Sequence, residues 1–170
     1  MLSGCTTLVD LANKLDPSTK TFTVPYIEPD VQTNCRIRVI SDTTVKILPN
    51  RSCVDWNAPG AGMVSAHSFA LGNDKTHNDK VIGIPRAGEI KNSSEVYIKP
   101  NEPLVLVYGH KTSCLIEASF IPEENTDYQI LSDTSSGRCT MELSKVTVDK
   151  ATNIIIYTPL KLNNAYPCKE

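Results

Sequence analysis

Nowhere does this chain of 170 residues approach the roughly 20 consecutive apolar residues that span a bilayer as a helix; its longest apolar-rich piece, Pro103 to Tyr108, is of strand length. Neither sign of charge dominates. Seventeen Lys and Arg against nineteen Asp and Glu give a net charge of −2 without a basic stripe, and aromatics make up only 6%. A nucleic-acid partner, which needs phosphate-neutralising cations and stacking platforms, is therefore not expected. The chain also lacks a G-x-S-x-G elbow, an H-E-x-x-H pair, a phosphate-cradling glycine loop and a dinucleotide fingerprint. No C-x-x-C pair or Cys/His cluster at zinc-finger spacing occurs. No cofactor and no metal site is expected, and the function classes that remain are chiefly non-catalytic.

What is present reads as β structure. With 40% hydrophobic and 21% charged residues, the length fits one globular domain with a core of ordinary size. From Lys20 onward apolar residues alternate with period two: Phe22, Val24 and Tyr26 on one side, Thr21, Thr23 and Pro25 on the other, Pro25 marking an edge strand. Arg36 to Ile40 and Thr44 to Leu48 flank Ser41-Asp42, which predicts a hairpin in which Ile37 and Val39 face Val45 and Ile47. Pro49-Asn50 is a turn. Strands are expected at Met63 to Leu71, Val81 to Ile84, Glu95 to Ile98, Pro103 to Tyr108, Ser113 to Ile121, Asp127 to Leu131, Arg138 to Val148 and Asn153 to Thr158. Pro103 to Tyr108 is too uniformly apolar to be half exposed and should be central. The expected fold is all-β: a single antiparallel β-sandwich, immunoglobulin-like or transthyretin-like, of about eight to ten strands over residues 20–170.

Six cysteines fit an exported protein. With Cys5 set aside, five remain, so at most two bridges form within one chain. Cys114 alternates in step with Ile116, Ala118 and Phe120, and Cys139 with Met141 and Leu143, which puts both on core-facing sides. The preferred pairing is Cys53 with Cys114 and Cys139 with Cys168, the second holding down the C-terminal tail and leaving Cys35 over; spacing alone leaves other pairings open.

Three polar features are candidates for sites. Trp56, the only tryptophan, and Asn57 stand among turn formers just after Cys53. A rigid aromatic residue in a constrained loop is a common interface anchor, although the reading preferred for Trp56 is a cap over the end of the sandwich. Asn73 to Asp79 gathers two carboxylates, two amides and His77, but without the alternate spacing and glycine of a calcium loop; it reads as a solvated hairpin loop. His67 reads as a hydrogen-bonded strand residue and His110, after Gly109, as solvated in a turn. A small periplasmic hydrolase built on either histidine is the outlying alternative, since triads are assembled in space.

Two resemblances add a location and a little architecture. Leu2-Ser3-Gly4-Cys5 resembles the lipobox of bacterial lipoproteins, in which the cysteine is diacylated and becomes the mature N-terminus. The resemblance implies that Cys5 carries a lipid with acyl chains such as palmitate, and that residues 1–19 are a lipobox remnant and tether; Leu8, Leu11, Ala12 and Leu15 allow a short helix there. Two or more acyl chains hold firmly, each buried methylene contributing roughly 0.8 kcal/mol. Thr6 stands where an Asp would imply inner-membrane retention, which points to the outer membrane, with the domain on its periplasmic or surface face. The second resemblance, over Arg36 to Val146, is to a group of uncharacterised proteobacterial lipoproteins of β-sandwich type. Its shared features are a strand like Arg36-Ile37-Arg38-Val39, a turn like Pro49 to Cys53, and a bend like Phe120, Pro122, Glu123 leading to Tyr128 and Cys139. That bend also resembles the tyrosine corner of immunoglobulin-like domains, which implies that the Tyr128 ring covers the core edge and its hydroxyl bonds backbone in the bend. The expected function is a non-catalytic, lipid-anchored binding or scaffolding module with an envelope protein partner. The more specific alternative is a lipoprotein subunit of a secretion or other envelope assembly, similar in architecture to the small sandwich lipoprotein of type VI machinery.

Overall fold

The computed structural model describes residues 24–30, 34–66, 76–110, 114–134 and 138–169, without the side chain of His110. The expected helix within residues 6–19, residues 20–23 of the expected edge strand, His67, residues 67–71 of the expected Met63 to Leu71 strand and Asn73 to Lys75 lie outside them, as does Cys5. Ten strands form: β1 (Arg36–Ser41), β2 (Thr44–Pro49), β3 (Gly62–Ala66), β4 (Ser93–Tyr97), β5 (Leu104–His110), β6 (Cys114–Phe120), β7 (Asp127–Asp133), β8 (Thr140–Val148), β9 (Ile155–Leu160) and β10 (Asn163–Asn164). They make two five-stranded sheets, in the orders β4-β1-β7-β8-β9 and β10-β6-β5-β2-β3. The described residues contain no helix, and so none long and apolar enough to cross a membrane.

The two sheets close on one core. Ile37 and Val39 of β1, Val96 of β4, Tyr128 and Ile130 of β7 and Leu143 of β8 meet Val45 and Ile47 of β2, Leu104, Leu106 and Tyr108 of β5 and Phe120 of β6. This is the all-β sandwich the alternation predicted. Pairing among the ten strands is antiparallel except between β1 and β7, which run parallel with Arg36 beside Asp127 and Ile40 beside Leu131. Asn50, Asn92, Asn101, Asn125 and Asn153 all turn the chain with φ between 52° and 56° or at 60°, the left-handed region that asparagine tolerates better than most residues.

The expected β1–β2 hairpin does not form. The chain crosses at Asp42-Thr43 from one sheet to the other, so β1 pairs β4 and β7 while β2 pairs β3 and β5. Ile37 and Val39 still meet Val45 and Ile47, but across the core and not within a ladder. The cause is burial on both faces: β1 and β2 are each covered almost throughout, and strands of that kind need neighbours on both edges, which a two-stranded ribbon does not supply. β5 is central, as its composition predicted. Its core face carries Leu104, Leu106 and Tyr108, while Val105 and Val107 lie under a second apolar layer made by Val54, Ala58 and Ala165.

One glycine is fixed by close approach. A Cβ on Gly62 would stand 2.3 Å from the carbonyl carbon and oxygen of Pro25, because the Val24–Tyr26 backbone docks on β3, with Tyr26 N–H donating to the Met63 carbonyl (2.9 Å) and Met63 N–H to the Val24 carbonyl (3.0 Å). Backbone on both sides leaves nothing that can rotate away. Gly62→Ala is expected to destabilise by about 1–3 kcal/mol, read from the urea midpoint, with faster amide exchange at Tyr26.

Candidate functional site

The most strongly charged side chains of the interior form a structural tie. Arg38, on the face of β1 turned away from the core, pairs with Glu95 of β4 at side-chain exposures of 0% and 1%. Nε and Nη2 of Arg38 donate to Glu95 Oε1 (2.9 and 2.8 Å), while Nη1 and Nη2 reach the carbonyls of Pro85 (3.1 Å) and Ile84 (2.5 Å). Glu95 Oε2 accepts the backbone N–H groups of Ile82 (2.7 Å), Gly83 (2.9 Å) and Ile84 (3.2 Å). Val81 to Ile84 is therefore not the strand its composition suggested. Its donors go to a carboxylate and not to a ladder, and it is strapped over the outer face of the first sheet. Arg36 adds a second fastening, bidentate to Asp127 at 2.7 Å and donating to the Ile82 carbonyl (3.2 Å). Burial pushes the Glu95 carboxyl up, but the Ile82 amide, the Arg38 hydrogen bond and charge and the Ile84 amide outweigh it and leave it below its ordinary value.

The cysteines pair differently from expectation. Cys53 is bridged to Cys168 and Cys114 to Cys139, with Cα atoms 4.9 and 5.9 Å apart, and Cys35 forms no disulfide. The strand phase of Cys114 and Cys139 was read correctly, since both pack on the core. They stand on facing sheets at the same end of the sandwich and so reach each other, within the roughly 7 Å that a bridge allows. Cys53 lies on the far side of the second sheet, in the loop that the tail returns to. Burial, and then the charge on Asp127, pushes the Cys35 thiol up to about 12, which keeps it protonated and poorly nucleophilic.

Trp56 caps a face, not the end of the sandwich. It packs on the layer formed by Leu48, Val54, Val105 and Val107, with Lys46 Nζ 4.8 Å from its ring centroid. Asn57 beside it is exposed, its N–H held by Asp55 Oδ1 at 2.9 Å. The tail lies over the same face: Val54 N–H donates to the Tyr166 carbonyl (2.8 Å), Cys168 N–H to the Val54 carbonyl (3.2 Å) and Ala165 N–H to the Glu117 carbonyl (3.0 Å).

The described part of the polar cluster is no solvated loop. Thr76 is buried. His77 donates its N–H to the Val64 carbonyl (3.0 Å), and its Nε2 lies 2.7 Å from the Tyr26 carbonyl, an acceptor that fixes the proton on Nε2. Asn78 Oδ1 accepts the Ala66 N–H (3.0 Å). These bonds tie β3 to its neighbours. His110 is not in a turn but ends β5, opposite Cys114. Among the described residues no group of three or more His, Cys, Asp or Glu side chains is placed to hold a metal ion. Tyr128 behaves as the bend implied: its hydroxyl accepts the Glu123 N–H (2.8 Å) and its ring meets Phe120 edge-on at 5.2 Å.

The feature that the sequence did not single out is a sheet edge. Exposed strand edges template pairing with other chains, and folds normally cover, shorten or charge them. Three of the four edges here are managed in that way. β3 is covered by Val24–Tyr26, and β4 by the Lys80 carbonyl on Glu95 N–H (2.8 Å), Asp79 N–H on the Ser93 carbonyl (3.0 Å) and Glu28 on Tyr97 N–H (2.8 Å). β6 is covered by the two-residue β10 and the tail. β9 is the fourth, and among the described residues no segment lies along it.

β9 also has no charged residue, reading Ile155-Ile156-Tyr157-Thr158-Pro159-Leu160. Ile154, Ile156 and Tyr157 are 60%, 46% and 38% exposed. Its hairpin with β8 is well held: Asp149 N–H donates to the Ile154 carbonyl (2.9 Å), and Asp149 Oδ1 accepts from the N–H groups of Ala151 (2.8 Å) and Thr152 (3.3 Å). Beside the hairpin, Val148, Ile154 and Ile155 border an open cleft of about 520 Å³ whose other wall is Pro85, Arg86 and Ala87. A period-two pattern marks strands but not which of them ends a sheet, so this edge had no signal in the sequence beyond the uncharged run itself. No protein-family model, curated protein or solved structure matches the chain.

Proposed function

We propose that this chain is a non-catalytic binding or scaffolding module, held at a bacterial envelope membrane by lipid on Cys5, that engages a protein partner by adding a strand at β9. The observation that carries the reading is the contrast among the four edges: among the described residues three are closed, and the open one is apolar, uncharged and mounted on a hydrogen-bonded hairpin. Main-chain hydrogen bonds to such an edge give affinity, and the alternate side chains beside it give specificity. The Arg38–Glu95 tie, the Tyr128 corner and the two disulfides support this role by giving the edge a stiff base.

A photoreactive amino acid at Ile156, in cells expressing the chain from its own locus, tests the reading. Irradiation is expected to yield a discrete adduct in the membrane fraction that the same group at Ile27, 65% exposed on another part of the surface, does not give. Intact mass should show an acyl increment on Cys5. Equal labelling at both positions, or none at Ile156, would overturn the docking edge, and an unmodified Cys5 in membranes would overturn the anchor.

A further inference from the structure

The partner that best fits the β9 edge is a second copy of β9, and the geometry points to a twofold homodimer in which two first sheets join into one of ten strands. This rests on β9 being the docking edge and adds who docks there.

The direction of each backbone group along β9 follows from its ladder with β8. Asp149 N–H donates to the Ile154 carbonyl, and the register continues through Val148 opposite Ile155, Thr147 opposite Ile156, Val146 opposite Tyr157 and Ser144 opposite Pro159. Antiparallel ladders alternate between bonded and non-bonded pairs. Ile154, Ile156, Thr158 and Leu160 therefore bond to β8, while Ile155, Tyr157 and Pro159 turn their backbone outward. Pro159 has no N–H, so its place in the outward series costs the β8 ladder nothing. The open edge thus offers two N–H donors, on Ile155 and Tyr157.

An antiparallel copy centred on Ile156 uses both. Ile155 then opposes Tyr157 of the second copy and Tyr157 opposes its Ile155, each pair exchanging two bonds. A register centred on Tyr157 engages the same donors but sets Pro159 against Ile155, so that the Ile155 carbonyl of each copy faces no N–H. In the favoured register the outer face gains two Ile–Tyr pairs, an aromatic and β-branched combination that stabilises antiparallel ladders. Ile156 meets Ile156 on the other face. No like charges are opposed, because residues 151–160 carry none. The same lack of charge leaves Pro159 as the edge's one blunting feature, with no electrostatic repulsion of a copy of itself, and offers nothing to a strand that would be selected by charge. Six residues of ladder with a few flanking side chains fall short of the roughly 1,600 Å² of a standard stable interface, so the dimer should be reversible and concentration-dependent.

Sedimentation equilibrium of the full 170-residue chain, with reactive thiols blocked by iodoacetamide, tests the inference across a concentration series reaching the high micromolar range. The expected result is a monomer–dimer equilibrium whose dissociation constant rises at least about tenfold in Ile156→Lys, which sets two ammonium groups face to face. It should be unchanged in Ile27→Lys. Ile156 is exposed, so at concentrations where wild type is monomeric its variant should keep the wild-type urea midpoint and separate lost pairing from lost folding. Amide exchange at Ile155 and Tyr157 should slow with concentration while that at Ile156 does not change. A monomer at every concentration, or a dimer indifferent to Ile156→Lys, overturns self-pairing. If the photoadduct at Ile156 then contains a different protein, the docking edge stands and only its occupant is wrong.

Discussion

Arg38→Ala is expected to cost about 3–5 kcal/mol of stability, the range for breaking a buried pair by removing one partner. The loss is large because of what stays behind. Glu95 would keep its three amide donors from Ile82, Gly83 and Ile84 but lose the Arg38 guanidinium in a site with 1% exposure, while the carbonyls of Ile84 and Pro85 would lose their donor. Arg38→Lys should be nearly as damaging, since an ammonium cannot reach a carboxylate, two carbonyls and the Gln129 amide oxygen from one planar group. Urea denaturation with unchanged slope would check the size, and faster amide exchange at Ile82 to Ile84 would place it. A variant within 1 kcal/mol of wild type would mean that the Val81–Ile84 strap is held by something other than this pair.

The same pair gives a pH dependence of definite sign. Glu95 titrates below its ordinary value of 4.5 when folded, so its contribution is complete above that value and is lost as pH falls through the folded value. Wild type should lose stability on acidification below about 4.5 more steeply than Glu95→Gln, which starts lower and has no carboxylate to protonate there.

Removing the Cys53–Cys168 bridge is the second large effect. Its sequence separation is 115, against 25 for Cys114–Cys139. Chain entropy alone predicts losses of about 4.8 and about 3.5 kcal/mol respectively. The order should hold for a further reason. Without its covalent end, the tail holding Ala165, Tyr166 and Cys168 keeps only a few backbone bonds to Val54 and Glu117, and its release uncovers Val105 and Val107 on the outer face of β5. Paired Cys→Ser variants, Cys53/Cys168 against Cys114/Cys139, should therefore differ in urea midpoint with the first lower, and the first alone should bind a hydrophobic dye. The reverse order would show that the link between the two sheets, not the tail, limits stability.

Local patterns in the sequence were enough for the strands whose environment is uniform. β5 announced its central place by carrying apolar residues on both faces, and Tyr128 its corner by following a Pro-Glu bend. Asn50 announced its turn, because an asparagine after a proline tolerates the left-handed conformation found there. What failed had a common cause. Arg36 and Arg38 alternate with Ile37 and Val39, which reads as one polar and one apolar face, yet the arginine face is covered by a segment 46 residues away. Val81 to Ile84 looks like a strand because its side chains are those of one, whereas its amides are claimed by a single carboxylate from β4.

The sequence by itself determined that two-residue periodicity would build a two-layered all-β domain and that Cys114 and Cys139 would face its core, since these follow from side-chain alternation. Only the tertiary structure decided which cysteine meets which, that β1 and β2 part company, that Trp56 covers a face, and that β9 is the edge left open among the described residues. Each of those depends on which segments distant in sequence compete for the same backbone donors and the same apolar surface, and that competition is settled by packing in three dimensions, where a local pattern has no information.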